Sequence, residues 1–191
     1  AGDDIFEFNS FGEFATAADG IPRDIIAGEA HSNGDTLRFN VDNPSFEGSL
    51  TLRAGVLDTK ITGIEILDIF GGAVSGPIDI TLSTGDKNYT GLTTIDLSGD
   101  TSQSSLSKVN LAEIKDTDGD PSTGGMTIRA GADSTIMRGT DNSDKIYGGI
   151  GDDLTYANWG NDEIRLGAGN DIAYAGKGDD TVYGGSGNDI L

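Results

Sequence analysis

The chain has 191 residues, with 32 acidic against 12 basic side chains and a net charge of −20. That length suffices for one or two domains with a core, and the charge makes nucleic acid a poor partner and a cation a good one. Cysteine is absent and no run of 18 apolar residues occurs, which excludes disulfides, thiolate metal sites and a transmembrane helix.

Of the acids, 25 are Asp, which suits turns and metal sites better than helix interiors. Thirty Gly against four Pro point to turn-rich β structure. In chain order, the opening "AGDDIFEF" lacks the basic and apolar regions of a signal peptide. Next comes "RDIIAGEAHSNGDTLRF", whose His31 is the sole histidine and reads as a surface residue in a polar loop. With no Cys and one His, a catalytic zinc site or a Cys–His pair is excluded, and no nucleophile-elbow motif accompanies His31. No enzyme is expected.

Short apolar segments follow, each ending at a turn: "ITGIEILDIFGG", "GPIDITLSTG", "LTTIDLSGD", "LSKVNLAEI" and "GMTIRAG". They recur at roughly 15–18 residues with apolar and polar residues alternating, which predicts a parallel solenoid with irregular turns. Between the last two lies "DTDGD", with Asp116, Asp118 and Asp120 in alternation. It lacks the Gly and Glu of an EF-hand loop, so a solvated acidic turn is favoured over an accessory ion site.

From Gly139 to Leu191 the sequence divides into nines: "GTDNSDKIY", "GGIGDDLTY", "ANWGNDEIR", "LGAGNDIAY", "AGKGDDTVY" and "GGSGNDIL". Position six is Asp in every unit: Asp144, Asp153, Asp162, Asp171, Asp180 and Asp189. Position four is Gly in all but the first, where it is Asn142, and position five is always Ser, Asn or Asp. The preceding nine, "AGADSTIMR", keeps the length but has Thr135 in the Asp place and Asp133 two residues early, leaving a rearranged ion site open.

These units resemble the RTX nonapeptide repeat, a calcium-binding β-helix signature. The resemblance implies an all-β fold, a right-handed parallel β-solenoid ending in a calcium-bound parallel β-roll. Two units would make one turn, so position-six carboxylates would stack about 4.8 Å apart. Two such charges repel by about 3 kcal/mol at an effective dielectric near 20, a term that a hard cation reverses. Calcium fits best, because it accepts six to eight carbonyl and carboxylate oxygens in flexible geometry. In the resembled family each ion lies between units n and n+2, held by carbonyls at positions two and four of one loop, one and three of the next, and both Asp.

Carried over, one edge has a site of Gly149, Gly151, Asp153, Leu166, Ala168 and Asp171, then one of Gly167, Gly169, Asp171, Gly184, Ser186 and Asp189. The other edge has Thr140, Asn142, Asp144, Ala157, Trp159 and Asp162, then Asn158, Gly160, Asp162, Ala175, Lys177 and Asp180. The first set on that edge departs from the glycine pattern. The start of the chain also matches positions three to eight of a nonapeptide, with Asp4 in the ligand place, and its continuation resembles the segment that follows RTX rolls. Residues 1–46 are therefore expected to be the end of a preceding array and its following segment, 47–138 an irregular parallel solenoid and 139–191 the roll, all within a larger modular protein.

The resemblance implies an extracellular location, at the bacterial cell surface, and a calcium-dependent structural module of a surface-layer or adhesin-type protein. The alternative is a folding and secretion module of a secreted protease, lipase or alginate epimerase. Other copies of the chain or other parts of a parent protein are the expected partners besides calcium. On one sheet of the roll, position eight is large (Ile146, Ile164, Val182) and position seven polar (Lys145, Glu163, Thr181). On the other, position eight is Thr155, Ala173 or Leu191, and position seven is Leu154, Ile172 or Ile190, with Tyr156 and Tyr174 at position nine. That second ladder either faces outward as a contact surface or is phase-shifted into the core.

Overall fold

The computed structural model describes residues 5–8, 26–27, 36–40, 50–52, 61–62, 66–71, 78–83, 92–100, 106–114 and 124–191. Asp4, His31, Asp116, Asp118 and Asp120 lie outside them. Among the described residues there is no helix, and none that could cross a membrane.

The strands are β1 (Ile5–Phe8), β2 (Ile26–Ala27), β3 (Thr36–Asn40), β4 (Leu50–Leu52), β5 (Ile61–Thr62), β6 (Ile66–Gly71), β7 (Ile78–Ser83) and β8 (Thr94–Asp100). They continue with β9 (Ser107–Glu113), β10 (Thr127–Arg129), β11 (Thr135–Arg138), β12 (Lys145–Gly149), β13 (Leu154–Tyr156), β14 (Glu163–Ala168), β15 (Ile172–Tyr174) and β16 (Thr181–Ser186). Alternate strands form two sheets, β1-β3-β6-β8-β10-β12-β14-β16 and β4-β7-β9-β11-β13-β15, and β2 pairs with β5. Among the described residues every pairing is parallel, the arrangement of a parallel β-solenoid. The longer sheet crosses both expected domain boundaries without a break.

The pitch in sequence changes along the solenoid. Ile66 lies beside Thr94 and Ser107 beside Thr135, a turn of 28 residues. Thr127 lies beside Lys145, and Ile136 beside Leu154, so from there each turn takes 18 residues, two nonapeptides. Position-eight residues of the longer sheet form a buried column, Ile95, Ile128, Ile146 and Ile164, each fully buried. The facing column is Ile80, Val109, Met137, Thr155 and Ala173, so the core thins as the roll begins. Within 139–191 the large buried apolar side chains are Ile146, Ile164 and Leu166. Each contributes about 1.5–3 kcal/mol on burial, little against the cost of ordering so many glycines.

Thr155 and Ala173 point inward, which settles the phase of the shorter sheet. Its position-seven ladder faces outward and gains a rung upstream, running Ile136, Leu154, Ile172 and Ile190 in register. Beside it Tyr156 and Tyr174 stack with centroids 5.0 Å apart, and the Arg138 guanidinium covers Tyr156. The outer face of the longer sheet carries Arg129, Tyr147, Arg165 and Tyr183 in one column, with Arg129 over Tyr147 and Arg165 over Tyr183.

On the shorter sheet β13 and β15 occupy only the last three residues of their units, whereas β12 runs on through position two of the next unit and β14 and β16 through position three. Gly149, Gly167 and Gly185 stack there with φ of 106°, 106° and 103°, a shared kink that keeps the ladder in register.

Candidate metal centre

The position-six carboxylates stand in two rows, one along each edge of the roll. On one edge Thr135 N–H donates to Asp153 Oδ1 (2.7 Å), Asp153 N–H to Asp171 Oδ1 (2.8 Å) and Asp171 N–H to Asp189 Oδ1 (3.1 Å). On the other, Met126 N–H donates to Asp144 Oδ1 (2.7 Å), Asp144 N–H to Asp162 Oδ1 (2.8 Å) and Asp162 N–H to Asp180 Oδ1 (3.0 Å). Each carboxylate is thus held by the amide 18 residues earlier. This explains why position six takes Asp: its short side chain reaches one amide and leaves a second oxygen facing the loop.

Those second oxygens decide the chemistry. Oδ2 of Asp153, Asp162 and Asp171 is buried and accepts no hydrogen bond, although these residues are at most 2 % exposed. Burial pushes the Asp153 carboxyl up to about 8 and the Asp162 carboxyl up to about 7, and it raises Asp171 too. Stacked carboxylates add to each rise: Asp171 on Asp153, Asp144 and Asp180 on Asp162, and Asp189 on Asp171. A dry row of anionic oxygens without donors is a cation site.

Backbone carbonyls complete the cradle. A Cβ at Gly148 would lie 2.5 Å from Asp153 Oδ2 and still closer to the Leu166 carbonyl oxygen, so these two oxygens meet where only glycine leaves room. The Gly149 and Gly151 carbonyls are aimed at Gly167 and Gly169 of the following turn, and those of Gly167 and Gly169 at Gly185 and Gly187. On the other edge the Asn158 and Gly160 carbonyls face Gly176 and Gly178 in the same way. Some of these oxygens also accept ladder bonds: Asn158 O from Lys177 N–H (2.8 Å), Lys177 O from Gly160 N–H (3.0 Å) and Ser186 O from Gly169 N–H (3.0 Å). A second lone pair remains on each.

The donor set is all oxygen, with one or two carboxylates and several carbonyls, which suits calcium. Among the described residues no three acidic or imidazole side chains converge on one point, as expected where backbone supplies most ligands. Bound calcium supplies the positive charge that lets the buried carboxylates ionise together. The chain's own part is to hold them in register and exclude water.

The first expected site on the second edge differs. Thr140 N–H donates to Asp144 Oδ2 (2.7 Å) and Thr140 Oγ1 to Asp144 Oδ1 (2.9 Å), so both carboxylate oxygens are engaged within their own loop. Trp159 is 56 % exposed and stacks under the Lys177 ammonium, 4.3 Å from its ring centroid.

Sequence reasoning noted position five but gave it no role. Its side chains form a second pair of ladders running in the opposite sense. Asp152 N–H donates to Ser134 Oγ (3.1 Å), Asn170 N–H to Asp152 Oδ1 (2.7 Å) and Asn188 N–H to Asn170 Oδ1 (3.1 Å). On the other edge Asn161 N–H donates to Ser143 Oγ (2.9 Å) and Asp179 N–H to Asn161 Oδ1 (2.8 Å). The restriction to Ser, Asn and Asp was the available signal, since all three put an acceptor at that reach.

Residues 129–164 and 156–191 match the model of the RTX calcium-binding nonapeptide repeat, which has four copies. Such repeats form parallel β-rolls, bind several calcium ions and are typical of secreted proteins. No curated protein matches the chain, and no solved structure does.

Proposed function

Residues 129–191 carry RTX calcium-binding repeats, and on that premise we propose that the chain is a calcium-dependent structural module of an extracellular bacterial surface-layer or adhesin-type protein. It folds on meeting calcium after type I secretion, and it performs no catalysis of its own. The observation that carries this reading is the set of three buried Oδ2 atoms, on Asp153, Asp162 and Asp171, without donors. Unfavourable without a cation, they make folding of the roll conditional on one.

The outward ladder of Ile136, Leu154, Ile172 and Ile190 supports assembly over a purely secretory role. It offers an apolar strip to another copy of the chain or to another part of a parent protein.

Circular dichroism in chelator and in calcium tests the proposal. The β signal of the roll should appear at calcium concentrations of about 0.1–1 mM, the range of extracellular modules, with magnesium a poor substitute. An unchanged β signal on calcium removal would contradict it.

A further inference from the structure

Resting on the calcium reading, the structure assigns a different role to the first loop of the roll: we infer that residues 139–144 take no cation and instead cap the ion array on their edge. Thr140 supplies there the donors whose place calcium fills elsewhere. Its amide reaches Asp144 Oδ2 and its hydroxyl Asp144 Oδ1, and Met126 N–H adds a third bond to Oδ1. The hydroxyl in turn accepts Asn142 N–H (3.0 Å), which closes the loop on itself. Thr140, Asn142 and Asp144 are at most 3 % exposed, so the arrangement is a built one.

The backbone agrees. Position two has positive φ in every later unit, at Gly149, Asn158, Gly167, Gly176 and Gly185, and position four has it at Gly160, Gly169, Gly178 and Gly187 but not at Gly151, so position two carries the contrast. Thr140 and Asn142 have it at neither place. A β-branched residue is costly in that region, so Thr140 removes the kink that turns the position-two carbonyl toward an ion. Across the interface, Asn158 Nδ2–H donates to the Gly139 carbonyl (2.7 Å) and Asp141 N–H to the Ile114 carbonyl (3.3 Å). Hydrogen bonds thereby tie the loop both to the roll below and to the irregular solenoid above.

Two consequences follow. Of the four ion interfaces that the repeat pattern implies, the one between loops 139–144 and 157–162 is closed by hydrogen bonds. The loop also gives the next turn a register that does not depend on calcium.

Calcium counting on the full chain, by equilibrium dialysis with metal analysis, tests this. Asp144→Asn should leave the number of bound ions unchanged, whereas Asp153→Asn should lower it by at least one. The double variant Thr140→Gly/Asn142→Gly should raise it by one, because it frees the Asp144 carboxylate and restores the kinks. Loss of an ion in Asp144→Asn, or no gain in the double variant, would overturn the assignment while leaving the calcium reading intact. A wild-type chain that binds no calcium would overturn both.

Discussion

Replacing Asp171 with Asn should act with opposite sign in the presence and absence of calcium. Asp171 is fully buried, its Oδ1 holding Asp153 N–H and its Oδ2 accepting nothing. Asparagine keeps the Oδ1 acceptor and the shape but removes the charge. Without calcium, that charge faces Asp153 on one side and Asp189 on the other, each about 4.8 Å away along the stack. At an effective dielectric near 20 each pair repels by about 3 kcal/mol when ionised, less for half-buried Asp189, which water screens. The metal-free roll therefore favours protonation. Asp153, raised from 3.8 to about 8, corresponds to on the order of 5 kcal/mol against the ionised roll. Because the folded-state values lie above the unfolded ones, the folded metal-free state binds more protons. Its stability is greatest below about pH 4 and falls as pH rises through 7 to 8. In chelator, the β signal should appear on acidification, and Asp171→Asn should move that midpoint to higher pH by about one unit. In calcium at pH 7.5 the same variant removes a ligand shared by two ions. At about 3 kcal/mol for each broken buried ion pair, the calcium midpoint should rise at least tenfold further than in Asp189→Asn, which serves one ion. Circular dichroism against pH in chelator and against calcium reads both effects. A chelator midpoint that stays or moves to lower pH in Asp171→Asn, or equal effects of the two variants on the calcium midpoint, would refute the stacked-carboxylate account.

Gly167→Ala should raise the calcium midpoint at least about fivefold, because φ is 106° and the new Cβ would meet the Gly149 carbonyl oxygen, at a strain of about 1–3 kcal/mol. Thr155→Val should stabilise the loaded roll by about 1 kcal/mol in thermal melts, since the buried Thr155 hydroxyl has no hydrogen-bond partner and valine keeps its shape. Ile172→Lys places a charge on the outer face, so calcium-dependent folding should survive within twofold in midpoint while sedimentation shows weaker self-association; loss of folding would put the ladder in the core.

Much of the roll was legible because its constraints repeat. An Asp every nine residues carries the RTX resemblance, which implies the 18-residue turn, and strand alternation puts Ile146 and Ile164 inside. The ladder of Leu154, Ile172 and Ile190 left two phases open, because sequence carries no signal for how loops couple the two sheets. Inward Thr155 and Ala173 resolve it. Ile136 escaped notice because it precedes the first regular unit, although its strand already has the 18-residue register. The capped loop at Asp144 was visible only as a departure from glycine. That Thr140 turns its amide and hydroxyl onto the carboxylate is a matter of local backbone that no residue count reveals. Upstream, the strands were legible from alternation, but turns that vary from 28 residues (Ile66 to Thr94) to 33 (Thr94 to Thr127), with no ligand signature, gave no register.

The most direct test of the central claim is a crystal structure of the calcium-loaded chain with the ions located by anomalous scattering. Ions should lie in rows along both edges, within coordination distance of Oδ2 of Asp153, Asp162 and Asp171. Each should also touch carbonyls of consecutive turns, with none in the loop at Asp144. Empty carboxylate rows in saturating calcium, with the roll folded, would contradict the account.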